Sequence, residues 1–305
     1  MNPGSAIRGV LSPVVTPFTK TLEPDADRLT QHCQWLVDSN VGLAVFGTNS
    51  EANSLSMNEK RRLLDHLIGA GLPAGKMMPG TGSCALSDAV ELTQAAVAHN
   101  CAGVLMLPPF YYKGVSDDGL YSFYSELIQK IGDSKLRVYL YHIPQVSNVP
   151  ITYALIERLL KEYPGTIAGI KDSSGEWSNT LGMLEQFQPQ GFDVFSGSKT
   201  FLLETLRRGG AGCISATANV NPARIAELFE KFEDADAEQA QSKLDAVRSQ
   251  FDGYVMIAAM KAVIAHHKKD EDWTRVRPPL TEVTGVQQGE VVKALDGVGF
   301  SMPGL

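Results

Sequence analysis

The sequence has little of what marks several large classes of protein. It contains four cysteines, Cys33, Cys84, Cys101 and Cys213, and none of them belongs to a C-x-x-C pair. A zinc knuckle or a redox dithiol is therefore not indicated. We expect buried, reduced thiols, and a nucleophilic cysteine is the alternative that the sequence leaves open.

Long apolar runs and an excess of basic charge are also missing. No stretch approaches the ~18 apolar residues of a membrane-spanning helix, and the first residues lack the charged and apolar regions of a secretion signal. The net charge is −7, from 27 Lys and Arg against 34 Asp and Glu, and no basic stripe stands out. We therefore expect a cytoplasmic protein with neither a nucleic-acid partner nor a membrane partner.

Metal-binding and dinucleotide-binding motifs are missing as well. The chain has no H-E-x-x-H sequence and no carboxylate–histidine cluster, so neither a metal nor another cofactor is predicted. It also lacks a G-x-G-x-x-G loop, which disfavours a dinucleotide-binding fold.

The sequence does contain a regular alternation of strand and helix patterns. Short apolar runs that end in turn residues predict eight strands. These cover residues 9–15, 42–46, 76–78, 102–107, 137–143, the run that ends at Lys171, 193–195 and 212–216. Eight strand–helix units in about 220 residues predict a (β/α)8 TIM barrel over residues 1–221. A doubly wound sheet is the alternative fold.

A C-terminal helical extension is predicted over residues 222–305. Strand patterns stop at Pro222, and helical spacing of apolar residues predicts helices over 223–250, 254–267 and 286–295.

One lysine stands at the end of a predicted buried strand. Ile167, Gly169 and Lys171 alternate along that strand and share one of its faces. Buried lysines are rare, and burial favours the free amine, which can attack a carbonyl carbon. The functional interpretation is a Schiff-base lysine. In the alternative, Lys171 reaches solvent or pairs with Asp172.

In a barrel, polar residues that end the strands converge at one mouth. One lysine among several hydroxyls suits imine chemistry, because the Tyr141 phenol could shuttle a proton and backbone amides at Thr48–Ser50 could hold a carboxylate. Core packing is the alternative for each tyrosine. The converging residues are Thr48, Asn49, Glu51, Thr81, Ser83, Tyr111, Tyr112, Tyr141, His142, Lys171, Asp172, Ser196, Ser198, Thr217 and Asn219.

Several short motifs follow one another along the chain in a recognisable order. They are Gly47-Thr48-Asn49-Ser50-Glu51, Gly80-Thr81-Gly82-Ser83, Pro109-Phe110-Tyr111-Tyr112, Tyr141-His142-Ile143-Pro144, Gly169-Ile170-Lys171-Asp172, Ser196-Gly197-Ser198 and Arg277-Pro278-Pro279-Leu280. In this order and spacing they resemble the dihydrodipicolinate synthase / N-acetylneuraminate lyase superfamily, over essentially the whole chain.

The resemblance implies class I, Schiff-base chemistry on pyruvate or a related small 2-oxo acid. It makes Lys171 the imine-forming residue and Tyr141 the proton shuttle, with Thr48 joining Tyr141 to the hydroxyl of Tyr111. In this family the second tyrosine is often lent across a subunit interface, so the resemblance implies a homo-oligomer, a homotetramer built as a dimer of dimers.

The resemblance also implies a set of binding residues. The backbone at Thr48 and Asn49 would bind the substrate's carboxylate. Gly197 and Ile214 would line the pocket near the substrate's tail.

Two departures from the family pattern bear on the substrate. The synthase usually has Thr-Thr-Gly where this chain has Thr48-Asn49-Ser50, and it has an arginine at the position of Val146. The missing cation argues against dihydrodipicolinate synthesis, and Lys113 either binds a distal acid or is a solvated loop lysine. We expect aldol cleavage or condensation of a 2-keto-3-deoxy sugar acid-type substrate. The alternatives are a dehydratase or deaminase that uses the same imine, and a non-catalytic barrel that binds a 2-oxo acid.

Overall fold

A computed structural model describes residues 7–305 of the chain. Residues 1–6 lie outside the described residues. They include the start of the predicted barrel and the first residues that we compared with a secretion signal. The chain forms two compact units. Unit 1 comprises Pro73–Ile214 and the segment that ends at Gly9, and unit 2 comprises Val10–Leu72 and Ser215–Leu305. The predicted boundary between residues 221 and 222 stays a prediction.

The strands of the described residues are parallel to their neighbours. They are β1 Gly9–Ser12, β2 Gly42–Leu43, β3 Val104–Met106, β4 Val138–His142, β5 Ile167–Asp172, β6 Asp193–Ser196 and β7 Gly212–Ile214. Within unit 1 the order is β3-β4-β5-β6-β7. Within unit 2, β2 pairs with β1 through Leu11 and Gly42. The predicted α/β class with a parallel sheet is confirmed, but residues 7–305 hold seven strands where eight were expected.

The third predicted strand is the one that differs. A short 3-10 turn, Ala74–Lys76, occupies the start of this stretch, and the chain is extended from Met77 onwards without forming a continuous strand. Leu105 of β3 donates its amide to the Pro79 carbonyl at 2.9 Å and accepts from the Thr81 amide at 3.0 Å. This pairing amounts to a single bridge between Gly80 and Leu105. Pro79 has no N–H to extend the ladder, which explains why the segment stops short of a strand.

The helices between and after the strands follow the predicted spacing in most places. In residues 7–305 they are α1 Ala26–Asp38, α2 Met57–Gly69, α3 Leu86–Ala98, α4 Asp117–Ile131, α5 Pro144–Ser147, α6 Tyr153–Glu162, α7 Trp177–Phe187, α8 Leu202–Arg207, α9 Pro222–Glu230, α10 Ala237–Ser249, α11 Met256–Lys268 and α12 Gly285–Gly297. None of these helices is both long and apolar enough to cross a bilayer.

The prediction of one helix over residues 223–250 is wrong. The chain leaves the helix after Glu230 and resumes it at Ala237. In between, the Asp234 amide bonds the Lys231 carbonyl, and the Ala237 amide bonds the Asp234 carbonyl. Aspartates compete with the backbone for hydrogen bonds and favour such turns over helix interiors.

Helix α11 is enclosed by the rest of unit 2. Every residue from 258 to 265 is buried, including Lys261 in its middle. A helix that is apolar on all sides belongs in a core, so the charge at Lys261 has to find its partners inside the protein.

Gly169 is required by close approach of its neighbours. In the parallel ladder it lies between Tyr139 of β4 and Asp193 of β6. A Cβ at this position would lie 2.3 Å from the Asp193 carbonyl oxygen and 2.8 Å from Cδ1 of Tyr139. The glycine therefore lets β5 sit close to both of its neighbours, two residues before Lys171.

Replacing Gly169 by alanine is expected to destabilise unit 1. Overpacking of a well-filled site costs about 1–3 kcal/mol, and urea unfolding of Gly169→Ala should show a loss of this size. The matched control is Gly289→Ala in α12, where a Cβ meets nothing within 4 Å. That control should gain up to about 1 kcal/mol from helix propensity. Equal stability of the two variants would contradict the close approach.

Candidate active site

Lys171 lies at the end of β5 and is 3% exposed. It is in register with Tyr141 of β4, and its ammonium nitrogen lies 4.1 Å from the centroid of the Tyr141 ring. Residues in register on parallel strands share a face of the sheet. The structure therefore brings the predicted nucleophile and the predicted proton shuttle together.

Asp172 belongs to the opposite face of the same strand. Its carboxylate accepts the Ser174 amide at 3.0 Å, the Ser174 hydroxyl at 3.1 Å and the Thr180 hydroxyl at 2.6 Å. The alternative in which Lys171 pairs with Asp172 or reaches solvent is therefore not supported. Asp172 instead anchors the chain that leaves β5 to the start of α7.

Further hydrogen bonds hold His142 and Tyr139 of β4, the strand next to Lys171. His142 accepts the Ile151 amide on Nδ1 at 3.0 Å, and burial lowers the pKa of this imidazole. The imidazole of His142 is thus engaged by the backbone at Ile151. On the lysine's face, the Tyr139 hydroxyl donates to Asp193 at 3.4 Å. Burial raises the pKa of both Tyr139 and Asp193.

Gly197 and Ile214 follow β6 and end β7. The Gly197 amide donates to the Asp172 carbonyl at 2.6 Å, and a Cβ on Gly197 would lie 2.0 Å from the Ser173 hydroxyl oxygen. A side chain at position 197 would therefore disturb the strand end that carries Lys171. Ile214 is fully buried.

Tyr111 lies on the surface of this chain. It is 74% exposed, and its ring meets the Tyr112 ring edge-on, with centroids 5.3 Å apart. Unlike Tyr141, it is not gathered into the interior of its unit. Two adjacent exposed aromatic rings are more typical of an interface than of a free surface.

The loop after Tyr112 is tied to α5. The ammonium of Lys113 donates to the Phe110 carbonyl and, at 2.8 Å, to the Ser147 carbonyl. Backbone carbonyls therefore bind the ammonium of Lys113, which was a candidate from the sequence for binding a distal acid of the substrate. Val146 lies in α5 and is 57% exposed.

Thr48 and Asn49 belong to unit 2, where they begin a 3-10 turn, Thr48–Ser50. Both are half-buried. The turn is closed by bonds from the Ser50 amide to the Gly47 carbonyl at 3.0 Å and from the Glu51 amide to the Thr48 carbonyl at 3.1 Å. Glu51 itself has a left-handed conformation, with φ 56° and ψ 36°.

A buried charge network behind this turn was not foreseen as a unit. Lys261 and Glu51 form an ion pair with an N–O distance of 2.9 Å, and both side chains are fully buried. Burial lowers the pKa of Lys261 to about 8, and the charge of Glu51 opposes the shift. The available signal was a single lysine inside the apolar run of α11, but helical spacing names no partner for it.

Among the described residues, neither a nucleophilic cysteine nor a metal-binding cluster is found. All four cysteines are free thiols, and burial raises the pKa of Cys101 and Cys213 to about 12. Such thiols do not form the thiolate that nucleophilic catalysis needs. Within residues 7–305, no group of three or more His, Cys, Asp and Glu side chains is arranged to hold a metal ion.

Comparison with known proteins gives a consistent result. A sequence model of the dihydrodipicolinate synthetase family matches residues 6–297. A relative from Chloroflexus aurantiacus, described as an uncharacterized DapA-like lyase, is 33% identical over 276 residues, which cover 90% of this chain and 91% of the relative.

Solved structures agree with this match. Dihydrodipicolinate synthase from Agrobacterium tumefaciens is 27% identical, with a TM-score of 0.87 over 95% of this chain and 99% of that chain. YagE from E. coli K12, solved in complex with pyruvate, is 24% identical, with a TM-score of 0.87 over 97% of this chain and 100% of that chain.

The chain belongs to the dihydrodipicolinate synthetase family. The superfamily resemblance read from the motifs is confirmed. So is the prediction of an enzyme, because members of this family are lyases that use a Schiff-base lysine.

The hydrogen bond from Thr180 to Asp172 gives a test of the strand end. Thr180→Val keeps the shape of the buried side chain and removes the donor, so we expect a loss of about 1.5–3 kcal/mol, typical of hydrogen bonds to charged groups. The matched control is Thr93→Val, which removes a buried hydroxyl bonded to the Thr81 hydroxyl at 3.0 Å and should cost about 1 kcal/mol. Denaturant unfolding measures both, and an equal or larger loss in Thr93→Val would contradict the assignment.

Proposed function

We propose that this protein is a class I, Schiff-base lyase of pyruvate or a related 2-oxo acid. It catalyses aldol cleavage or condensation of a 2-keto-3-deoxy sugar acid-type substrate. The observation that carries the proposal is the pairing of Lys171 with Tyr141, a nearly buried amine 4.1 Å from a tyrosine ring. An amine in such surroundings can act as a nucleophile towards a keto carbon.

The proposed reaction starts with attack of the Lys171 amine on the keto carbon of the substrate. A C–N bond forms, the keto oxygen leaves as water, and a protonated imine remains. The electron pair of the bond between C3 and C4 then moves into the imine, which gives an enamine and releases an aldehyde. Protonation of the enamine carbon and hydrolysis of the imine return pyruvate and the free lysine. Condensation is the reverse sequence.

In this mechanism Tyr141 moves protons between the substrate's hydroxyl and water. Thr48 joins Tyr141 to the hydroxyl of Tyr111, and the backbone at Thr48 and Asn49 binds the carboxylate. The high exposure of Tyr111 within one chain supports a second copy as its partner. We therefore propose a homo-oligomer, a dimer of dimers, in which this tyrosine completes the site.

The same proposal includes a complete, eight-stranded barrel. The extended segment around Gly80 pairs with Leu105 and would supply the strand that seven observed strands lack for a (β/α)8 barrel, the third in chain order. A cytoplasmic location also stays part of the proposal.

The substrate's distal end is proposed to be neutral. Gly197 and Ile214 would line the pocket near it. Position 146 in α5 holds valine, and Lys113 already donates to two carbonyls, so neither residue offers a cation to a second carboxylate.

Borohydride trapping tests the imine. Incubation of the protein with pyruvate and borohydride should add a three-carbon adduct at Lys171, read by peptide mass mapping. Lys171→Met, which keeps an apolar chain of similar length, should stay folded and lose at least about a thousandfold in kcat/KM. Circular dichroism serves as the folding control.

Two outcomes would refute the proposed imine. One is an unmodified Lys171 in wild-type protein. The other is an adduct at Lys199, which is 1% exposed and follows β6, so that it offers a second buried amine in the same unit.

A substrate panel decides between cleavage and elimination. We expect release of pyruvate from 2-keto-3-deoxy sugar acids, measured with lactate dehydrogenase. A dehydratase or deaminase would keep the carbon chain intact and release no pyruvate, which mass spectrometry of the product detects.

Val146→Arg adds a cation at α5, and it should improve kcat/KM for a distally acidic substrate by about tenfold relative to a neutral one. An unchanged ratio would contradict the assigned position of the substrate's tail.

A further inference from the structure

The ion pair between Lys261 and Glu51 is enclosed within unit 2. Both side chains have no exposed surface, and the ammonium nitrogen lies 2.9 Å from one carboxylate oxygen. The same ammonium donates to the Thr16 carbonyl at 2.8 Å, and it lies 4.5 Å from the centroid of the Phe18 ring. The lysine therefore makes directed bonds to two separate segments, one at residue 16 and one at residue 51.

Stability alone is a weak reason for such a pair. Removing two charges from water costs as much as their attraction returns, and apolar residues of similar volume often replace a buried ion pair without loss. The neighbours of Lys261 along α11 are alanine, methionine, valine and isoleucine. Such a helix could pack with an apolar residue at position 261, so the packing of α11 does not by itself require the charge.

Glu51 is held at both of its oxygens. The second oxygen accepts the Arg277 amide at 2.8 Å. The Arg277 side chain continues the network, because it donates to the Ser54 carbonyl at 2.7 Å and to both carboxylate oxygens of Glu59 in α2. The left-handed backbone of Glu51 is a conformation that non-glycine residues adopt rarely, and these bonds keep it in place.

The network reaches the turn at Thr48–Ser50 by two routes. Through Glu51, it holds the residue whose amide closes the turn on the Thr48 carbonyl at 3.1 Å. Through Thr16, it holds a hydroxyl that donates to the Ser50 carbonyl at 2.7 Å. Lys261 bonds both Glu51 and Thr16, so its position is coupled by two separate contacts to the C-terminal end of the turn, and the Glu51 amide carries that coupling to the Thr48 carbonyl.

We propose that Lys261 is a positioning residue that, through Glu51 and Thr16, holds the Thr48–Ser50 turn in the conformation that binds the substrate's carboxylate. The carboxylate-binding part rests on the function proposed above. A loosened turn would bind the carboxylate less tightly, while the chemistry at Lys171, once the substrate is bound, would change little.

The double variant Glu51→Gln, Lys261→Met tests this role without leaving an unpaired buried charge. The amide oxygen of the substituted side chain at position 51 can still accept the Arg277 amide, so we expect a folded protein. The half-saturating pyruvate concentration for borohydride trapping should rise about tenfold or more, while the trapping rate at saturation changes by less than about threefold. The matched control is Arg28→Met, which removes three ion pairs of the same unit, those of Arg28 with Asp25, Asp270 and Asp272. It should leave half-saturation unchanged.

Amide hydrogen exchange gives a second readout that needs no activity. Exchange over residues 47–52 should accelerate at least about tenfold in the double variant, and not in Arg28→Met. Unchanged exchange in this segment, or faster exchange with unchanged half-saturation, would overturn the positioning role. Wild-type protein that forms no adduct at Lys171 would refute the proposed function instead, and the exchange comparison alone would then decide whether Lys261 orders the turn.

Discussion

The parallel pairing of β4 with β5 determines what Lys171 can contact. The register places Tyr141 beside the lysine and Tyr139 beside Gly169, and the absent side chain of Gly169 makes room for the Tyr139 ring. A shift by one residue would exchange the two faces of β5. Asp172 would then occupy the place of the amine. The candidate chemistry therefore depends on backbone register before it depends on any side chain.

The two faces of β5 are used for different purposes. One face presents the amine together with Tyr141. The other face holds Asp172, whose carboxylate is bonded by Ser174 and Thr180 at the start of the next loop and helix. The strand end is thereby anchored from behind, which is the support that a preorganised nucleophile needs.

Family membership and the local departures from its pattern answer different questions. Membership carries the reaction class, because the lysine imine is common to the family's lyases. The substrate belongs to the proposal, which places its distal end near helix α5 and the segment at Lys113. There the ammonium is bonded to the Phe110 and Ser147 carbonyls, and valine stands at position 146. The same imine can thus serve another substrate when the distal contacts change.

The local sequence determined the α/β class and the end of β5 next to the lysine, because these follow from periodicity and turn chemistry within a few residues. Tertiary structure decided the rest. It reduced the third predicted strand to isolated bridges, since pairing beside Pro79 depends on which amides meet β3. It also joined Lys261 to Glu51 across 210 residues. The pattern along α11 marks that lysine as unusual but says nothing of its partner, because the partner is chosen by packing in three dimensions.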